Sequence, residues 1–142
     1  MTDTPLAMPD FRLDHTMIRV KDLYRSLKFY TGILGMKIHR KTEYPQGRFT
    51  NTFIGYTDED AGTNLELTYN WDQKEDYTKG NAWGHLALKV SDVYATSEYL
   101  KQQGVEFTKE PSPMKNGTRI LAFIKDPDGY VIELNEPLEQ KK

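Results

Sequence analysis

Four side chains of this chain are suited to bind a metal ion and fall within predicted strands. His15 and His85 lie near the start of two segments of alternating polarity, and Glu66 and Glu133 lie inside two others. Because side chains alternate between the two faces of a strand, each of the four lies on the face opposite apolar residues of its own strand, such as Ile18, Leu67, Leu86 and Ile132. Two imidazoles and two carboxylates suit Zn(II), Ni(II) or Co(II) better than Mg(II) or Ca(II), which prefer oxygen ligands. The pattern therefore predicts one divalent metal site.

The same residue types recur at a nearly constant offset along the chain. A single histidine on a strand is more often a packing or surface residue than a ligand, so the repeat is what favours a site. A shift of 70 positions places His15 on His85, and a shift of 67 places Glu66 on Glu133. The shift of 70 also places Val20 on Val90, Asp22 on Asp92 and Phe53 on Phe123. Several matches in one order indicate a duplicated unit that supplies one histidine and one glutamate per copy.

The composition excludes several other kinds of protein. The chain has 142 residues, 37% hydrophobic and 28% charged, which is typical of a globular domain. It has no cysteine, so disulfides, thiolate metal sites and cysteine nucleophiles are impossible. A net charge of −2 gives no reason to expect nucleic acid or an anionic membrane as a partner. We find no signal-peptide pattern and no apolar run of about 20 residues, so we expect a cytoplasmic protein.

The elements that must position the four residues are predicted as two copies of a βαβββ unit, an α+β fold. The N-terminal module covers residues 11–70 and the C-terminal module covers residues 83–136, with a polar linker at 71–82. The segments 1–10 and 137–142 are expected to be tails. Each module then carries one predicted histidine on its first strand and one predicted glutamate on its last.

Local signals set several boundaries within these modules. Asp22 is a suitable N-cap for a helix over residues 23–34, and Gly35 is a suitable residue to end it. Residues 111–117 are predicted to form a loop, because they contain prolines and a glycine. The Asp-Pro-Asp-Gly sequence at 126–129 predicts a tight turn before the last strand.

Four segments of the chain resemble the glyoxalase I family. They are LDHTMIRVKDLYRSLKFYTGILGMK, LELTYNW, GHLALKV and LAFIKDPDGYVIELNE. The resemblance covers residues 11 to 136. The last segment recurs across the wider vicinal-oxygen-chelate superfamily, whereas the first two together are specific to glyoxalase I. The short loops, with histidine as the first ligand, are similar to the compact bacterial form of the enzyme.

The resemblance implies how the modules assemble. Each would form a cleft-shaped half-barrel, and an eight-stranded site would form at the interface of a homodimer. His15 and Glu66 would come from one chain, and His85 and Glu133 from the other. The bacterial form favours Ni(II) or Co(II), with Zn(II) as the alternative, and no organic cofactor is implied.

The resemblance also implies a reaction. The chain would be a lactoylglutathione lyase, a carbon–sulfur lyase that converts the hemithioacetal of methylglyoxal and glutathione into S-D-lactoylglutathione through an enediolate. Glu133 would be the base that moves the proton from C1 to C2, and Glu66 would be the symmetric carboxylate.

The family resemblance assigns substrate-binding positions as well. Arg19 and Asn70 match residues that hold the glutamyl end of glutathione, and each lies four positions after a predicted ligand. Lys109 and Lys115 are the first candidates for the glycine carboxylate, and Arg119 is a third. Some family members carry an arginine four residues before the third ligand. This chain has Asn81 there, so one anion contact is missing or replaced.

Other functions on the same fold remain alternatives. A ring-cleaving dioxygenase or a thiol transferase of the fosfomycin-resistance type would need only three ligands and would leave Glu66 surplus. A methylmalonyl-CoA epimerase usually has glutamine at the position of Glu66. A bleomycin-resistance-type protein binds its ligand without a metal and without catalysis.

Overall fold

The structure is a computed structural model that describes residues 3–137. Residues 1 and 2 of the first predicted tail, and residues 138–142 of the second, lie outside the described part. Residues 3–14 form no helix or strand. Between residues 3 and 137, no helix has both the length and the apolar character that crossing a bilayer requires.

The described residues form two four-stranded sheets with the same strand pattern. The first half contains β1 (His15–Val20), α1 (Leu23–Leu27), a π-helix (Lys28–Ile33), β2 (Lys37–Tyr44), β3 (Phe49–Gly55) and β4 (Asn64–Asn70). The second half contains β5 (Leu86–Lys89), α2 (Val93–Gln102), β6 (Phe107–Pro113), β7 (Arg119–Lys125) and β8 (Val131–Pro137). The strand orders are β1-β4-β3-β2 and β5-β8-β7-β6, with β1 parallel to β4 and β5 parallel to β8. The predicted α+β fold of two βαβββ units is confirmed.

One face of each sheet is covered by the core and the other is left free. Ile18 and Val20 are 3% and 0% exposed, and they join Leu67 and Ile132 in a single apolar cluster shared by both halves. Met17, on the opposite face of β1, is 38% exposed. The free faces carry the predicted metal ligands, because strand alternation places those residues opposite the buried ones.

The first helix differs from its prediction. It begins after Asp22, whose side chain caps it as expected, but the segment Lys28–Ile33 is a π-helix. The Thr31 hydroxyl donates to the Leu27 carbonyl at 2.6 Å and so competes for the acceptor that an α-helical N–H would use. Gly35 has a φ of 77°, a left-handed conformation that favours glycine and ends the helix.

The predicted loop at 111–117 was partly wrong, because β6 continues as far as Pro113. Strand β6 is an edge strand of its sheet, and its pairing with β7 is irregular between Lys109 and Ser112. Proline cannot donate a ladder hydrogen bond, and an outer strand tolerates that loss.

The turn at 126–129 attaches the second half of the chain to the first. The Asp128 carboxylate accepts a hydrogen bond from the Lys21 backbone N–H, just before α1, at 3.0 Å. The Tyr30 hydroxyl donates to Asp126 Oδ2 at 2.6 Å. Burial raises the pKa of the Asp126 carboxyl and that of the Tyr30 hydroxyl. These contacts join the second half of the chain to the first.

Tyr30→Phe should therefore destabilise the fold more than a matched change at the surface. The substitution leaves a buried Asp126 oxygen without its hydroxyl partner, which typically costs about 1–3 kcal/mol. The control is Tyr99→Phe, since Tyr99 is 43% exposed and its hydroxyl donates to the Ile33 carbonyl. Urea unfolding at neutral pH measures both. Equal midpoints for the two variants would contradict the structural role of the Tyr30–Asp126 bond.

Candidate metal centre

Parallel strand pairing brings each predicted histidine next to the predicted glutamate of its own half. In the first half, His15 Nε2 lies 3.0 Å from Glu66 Oε1. In the second half, His85 Nε2 lies 3.6 Å from Glu133 Oε1. In both sheets the register pairs the glutamate with the residue two positions after the histidine, so both side chains lie on the same face.

Each His–Glu pair is supported by a phenylalanine at the same place in the repeat. The Phe53 ring meets His15 edge-on at 5.1 Å, and the Phe123 ring meets His85 at 5.5 Å. The glutamate side chains are 12% and 16% exposed, and the histidine side chains are 34% and 43% exposed. Each pair is therefore shielded by its own sheet but remains open on the side away from it.

The four predicted ligands form two pairs and not one cluster. Among residues 3–137, no group of three or more His, Cys, Asp or Glu side chains could hold a metal ion. A cavity of about 630 Å³ opens elsewhere, lined by residues such as Leu65 and Leu86, which neighbour the ligands in sequence but point to the opposite face. A single described chain thus presents two half-sites, each with two donor atoms.

Two polar neighbours of the pairs were missed by the sequence analysis. Asp14 Oδ2 lies 2.5 Å from His15 Nδ1, and the hydrogen bond from His15 lowers the pKa of the Asp14 carboxyl. Asn135 Nδ2 donates to Glu133 Oε2 at 2.9 Å, while Arg119 donates to Asn135 Oδ1 at 3.3 Å. Asn135 lies two residues after Glu133 on the same strand face, which is the signal that could have identified it.

The predicted substrate-binding residues occupy different parts of the two sheets. Arg19 lies on β1 and pairs in register with Thr68 of β4. Asn70 follows Thr68 by two residues on the same strand. The Asn70 amide donates to the Tyr77 hydroxyl at 2.9 Å. The other two are lysines, of which Lys109 pairs in register with Phe123, and Lys115 lies in the turn between β6 and β7.

Comparison with known proteins decides the family. The sequence model of one protein family, the Glyoxalase/Bleomycin resistance protein/Dioxygenase superfamily, matches residues 12–134. The chain belongs to this superfamily. Its match begins three residues before His15 and ends one residue after Glu133, so it spans both half-sites.

Relatives within the superfamily place the chain among the glyoxalase I enzymes. The lactoylglutathione lyase of Neisseria meningitidis is 54% identical over 122 residues, which are 86% of this chain and 88% of the relative. The structure of glyoxalase I from Zea mays gives a TM-score of 0.83 at 40% identity, and covers 91% of this chain and 46% of the maize chain. This chain therefore spans just under half the length of the maize protein.

A second solved structure covers nearly all of both chains. The trypanothione-dependent glyoxalase I of Leishmania major gives a TM-score of 0.78 at 43% identity, and covers 88% of this chain and 86% of that one. These matches confirm the predicted family, a metal-dependent lyase family, and the predicted fold. The superfamily model also covers dioxygenases and bleomycin resistance proteins, but the relatives at about 50% identity are lactoylglutathione lyases, which favours glyoxalase I over the alternatives.

Proposed function

We propose that this glyoxalase I converts the hemithioacetal of methylglyoxal and glutathione into S-D-lactoylglutathione, in the cytoplasm, at a site where two chains meet. The observation that carries the proposal is the pair of equivalent half-sites. Each places an imidazole nitrogen and a carboxylate oxygen 3.0 Å or 3.6 Å apart on the free face of its sheet.

The donor atoms fit a divalent transition metal. Nitrogen and oxygen ligands lie about 2.1 Å from such an ion, so two ligands of one ion lie about 3.0–3.6 Å apart at ordinary coordination angles. His15 and Glu66 meet that separation, and so do His85 and Glu133. By likeness to the compact bacterial form, we propose Ni(II) or Co(II) as the ion in preference to Zn(II).

A homodimer would complete the ligand set. One half-site offers two protein donors, which is fewer than transition-metal sites in proteins normally use. A second copy whose second half faces the first half of its partner would supply the other two. We therefore propose that His15 and Glu66 of one chain join His85 and Glu133 of the partner chain.

The chemistry divides between the ion and the residues around it. A bound dication supplies the positive charge that stabilises the anion left when the C1 proton departs. Glu133 takes the proton from C1 and returns it to C2, while the C1 hydroxyl proton passes to the C2 oxygen, so that the atoms balance. Asn135 fixes the orientation of the Glu133 carboxylate by holding Oε2. Glu66 is the equivalent carboxylate for the opposite face of the substrate. The proton transfer is redox-neutral and requires no organic cofactor.

The arms of glutathione would extend along the free faces of the sheets. Arg19 and Asn70 each lie four strand residues from a ligand, a span of about 13 Å that suits one arm of a tripeptide. We propose that they hold the glutamyl end, and that Lys109 and Lys115 neutralise the glycine carboxylate. Since the Leishmania relative is described as trypanothione-dependent, the hemithioacetals of glutathione and trypanothione should be compared directly.

Removing the metal should abolish the activity. With chelator-treated protein, methylglyoxal and glutathione should form the thioester only at the uncatalysed rate, as followed by its ultraviolet absorbance. The reason is that the anion then lacks its stabilising charge. Adding Ni(II) or Co(II) should restore the rate, and Zn(II) should restore less. Full activity in protein shown to be metal-free would contradict the proposed site. A higher rate with Zn(II) would contradict only the metal preference.

A further inference from the structure

Asp14 lies immediately before the first residue of β1. Its Oδ2 lies 2.5 Å from His15 Nδ1, and on the other side of the ring His15 Nε2 lies 3.0 Å from Glu66 Oε1. The carboxylates of Asp14 and of the proposed ligand Glu66 thus contact opposite edges of the His15 imidazole. Nε2 is the nitrogen that faces the half-site, so Nδ1 is the nitrogen that is free to donate.

The backbone keeps Asp14 in this position. The Asp14 carbonyl accepts a hydrogen bond from the Asn64 backbone N–H at 3.0 Å, and Asn64 is the first residue of β4. Strand β4 also carries Glu66, so backbone hydrogen bonds between β4 and the segment entering β1 link Asp14, His15 and Glu66. The Asp14 carboxylate, although 69% exposed, is attached to a backbone that is already ordered.

The second half of the chain, as far as residue 137, has no equivalent of this contact. Gly84 precedes His85 and has no side chain to offer. Within residues 3–137, the hydrogen bonds include none to His85 Nδ1, whereas His15 Nδ1 has the Asp14 carboxylate. The two half-sites therefore differ in how firmly each holds its histidine, although they match in ligand type and spacing.

We propose that Asp14 is a positioning residue for the metal site, and that its carboxylate accepts the His15 Nδ1–H so that Nε2 is directed at the metal. This inference rests on the proposed function. A carboxylate on the second nitrogen of a ligating imidazole orients the ring and makes it a better electron donor. Asp14 would thereby make His15 the better-fixed imidazole of the two that bind the ion.

Metal affinity tests the proposal without recourse to activity. Co(II) binding to metal-free wild-type protein, Asp14→Ala, Asp14→Asn and the control Asp10→Ala is measured by competition with a chromophoric chelator. Loss of such a neighbour typically weakens metal binding about 10–100-fold, so Asp14→Ala should bind Co(II) that much more weakly. Asp14→Asn should lie between, because its amide oxygen still accepts the hydrogen bond. Asp10→Ala should match wild type, and equal affinity of Asp14→Ala and Asp10→Ala would overturn the proposal.

Proton NMR of the Co(II)-loaded protein provides a second measurement on His15 itself. The ring N–H protons of the two ligating histidines shift strongly near Co(II), and His85 is the internal reference. Solvent exchange of the His15 N–H should be faster in Asp14→Ala than in wild type, with the His85 N–H unchanged. Identical exchange in both proteins would overturn the proposal.

If wild-type protein bound no stoichiometric Co(II), the proposed function would fail together with this inference. Binding in wild type with no effect of Asp14→Ala would reject only the inference.

Discussion

Glu133→Gln is expected to reduce kcat by about 10²–10⁴-fold, the range typical of losing a general base. Glutamine has nearly the same shape and keeps an oxygen that can accept the Asn135 hydrogen bond, so the fold and much of the site should survive. It cannot accept the C1 proton at neutral pH. Kinetics with saturating hemithioacetal, together with metal analysis of the same samples, separate loss of the base from loss of the ion.

Glu66→Gln is the matched control for this experiment. Glu66 and Glu133 occupy equivalent strand positions, with side chains 12% and 16% exposed. They differ because Glu133 accepts a hydrogen bond from Asn135, whereas the equivalent position in the first half is Thr68, whose hydroxyl donates to Asn51. A larger loss of kcat in Glu66→Gln would assign the base to Glu66. Near-wild-type turnover of Glu133→Gln would contradict the mechanism.

Much of the fold could be predicted from the sequence because periodicity and burial are local properties. The alternation of Leu65, Glu66 and Leu67 predicted which face of β4 is buried, and the structure places both leucines in the core. The repeat then transferred that pattern from one half to the other. The first helix was harder, because the Thr31 hydroxyl competes for the Leu27 carbonyl within the π-helical segment, and helical periodicity does not register that competition.

Features that depend on sheet order and on side-chain orientation could not be predicted. Pro111 and Pro113 indicated a loop, because the sequence does not reveal that β6 is an outer strand. Asp14 was missed for a different reason. Strand alternation directs consecutive residues to opposite faces, yet Asp14 precedes the first residue of β1 and its carboxylate reaches the ring of the next residue.

The sequence predicted one His–Glu pair in each module, but not the strand pairing that brings the two side chains of a pair into contact. Spacing along the chain does not state which strands are neighbours in a sheet. The parallel pairing of β1 with β4 and of β5 with β8 determines that each pair is formed within one half. Two variants, each lacking one of the two His–Glu pairs, can test whether the pairs meet between chains.

Mixing two inactive variants should restore activity if each site is shared between chains. One variant carries His15→Ala with Glu66→Gln, and the other carries His85→Ala with Glu133→Gln. In a mixed dimer, the intact first half of one chain faces the intact second half of its partner, so one of the two sites has all four ligands. Random pairing makes half of the dimers mixed, which predicts about one quarter of wild-type activity.

The alternative arrangement predicts a different result from the same mixture. If one chain built its own site, every site in the mixture would lack either the first or the second His–Glu pair, and no activity would return. The variants are unfolded together in urea, refolded with the metal and assayed for thioester formation; each variant refolded alone is the control. Two different affinity tags, one on each variant, show whether mixed dimers have formed. If mixed dimers are present and the mixture is inactive, the shared site is excluded, and both half-sites of one chain would have to approach each other. Restored activity would show that a dimer is needed to assemble the ligand set, because neither variant has a complete set within its own sequence.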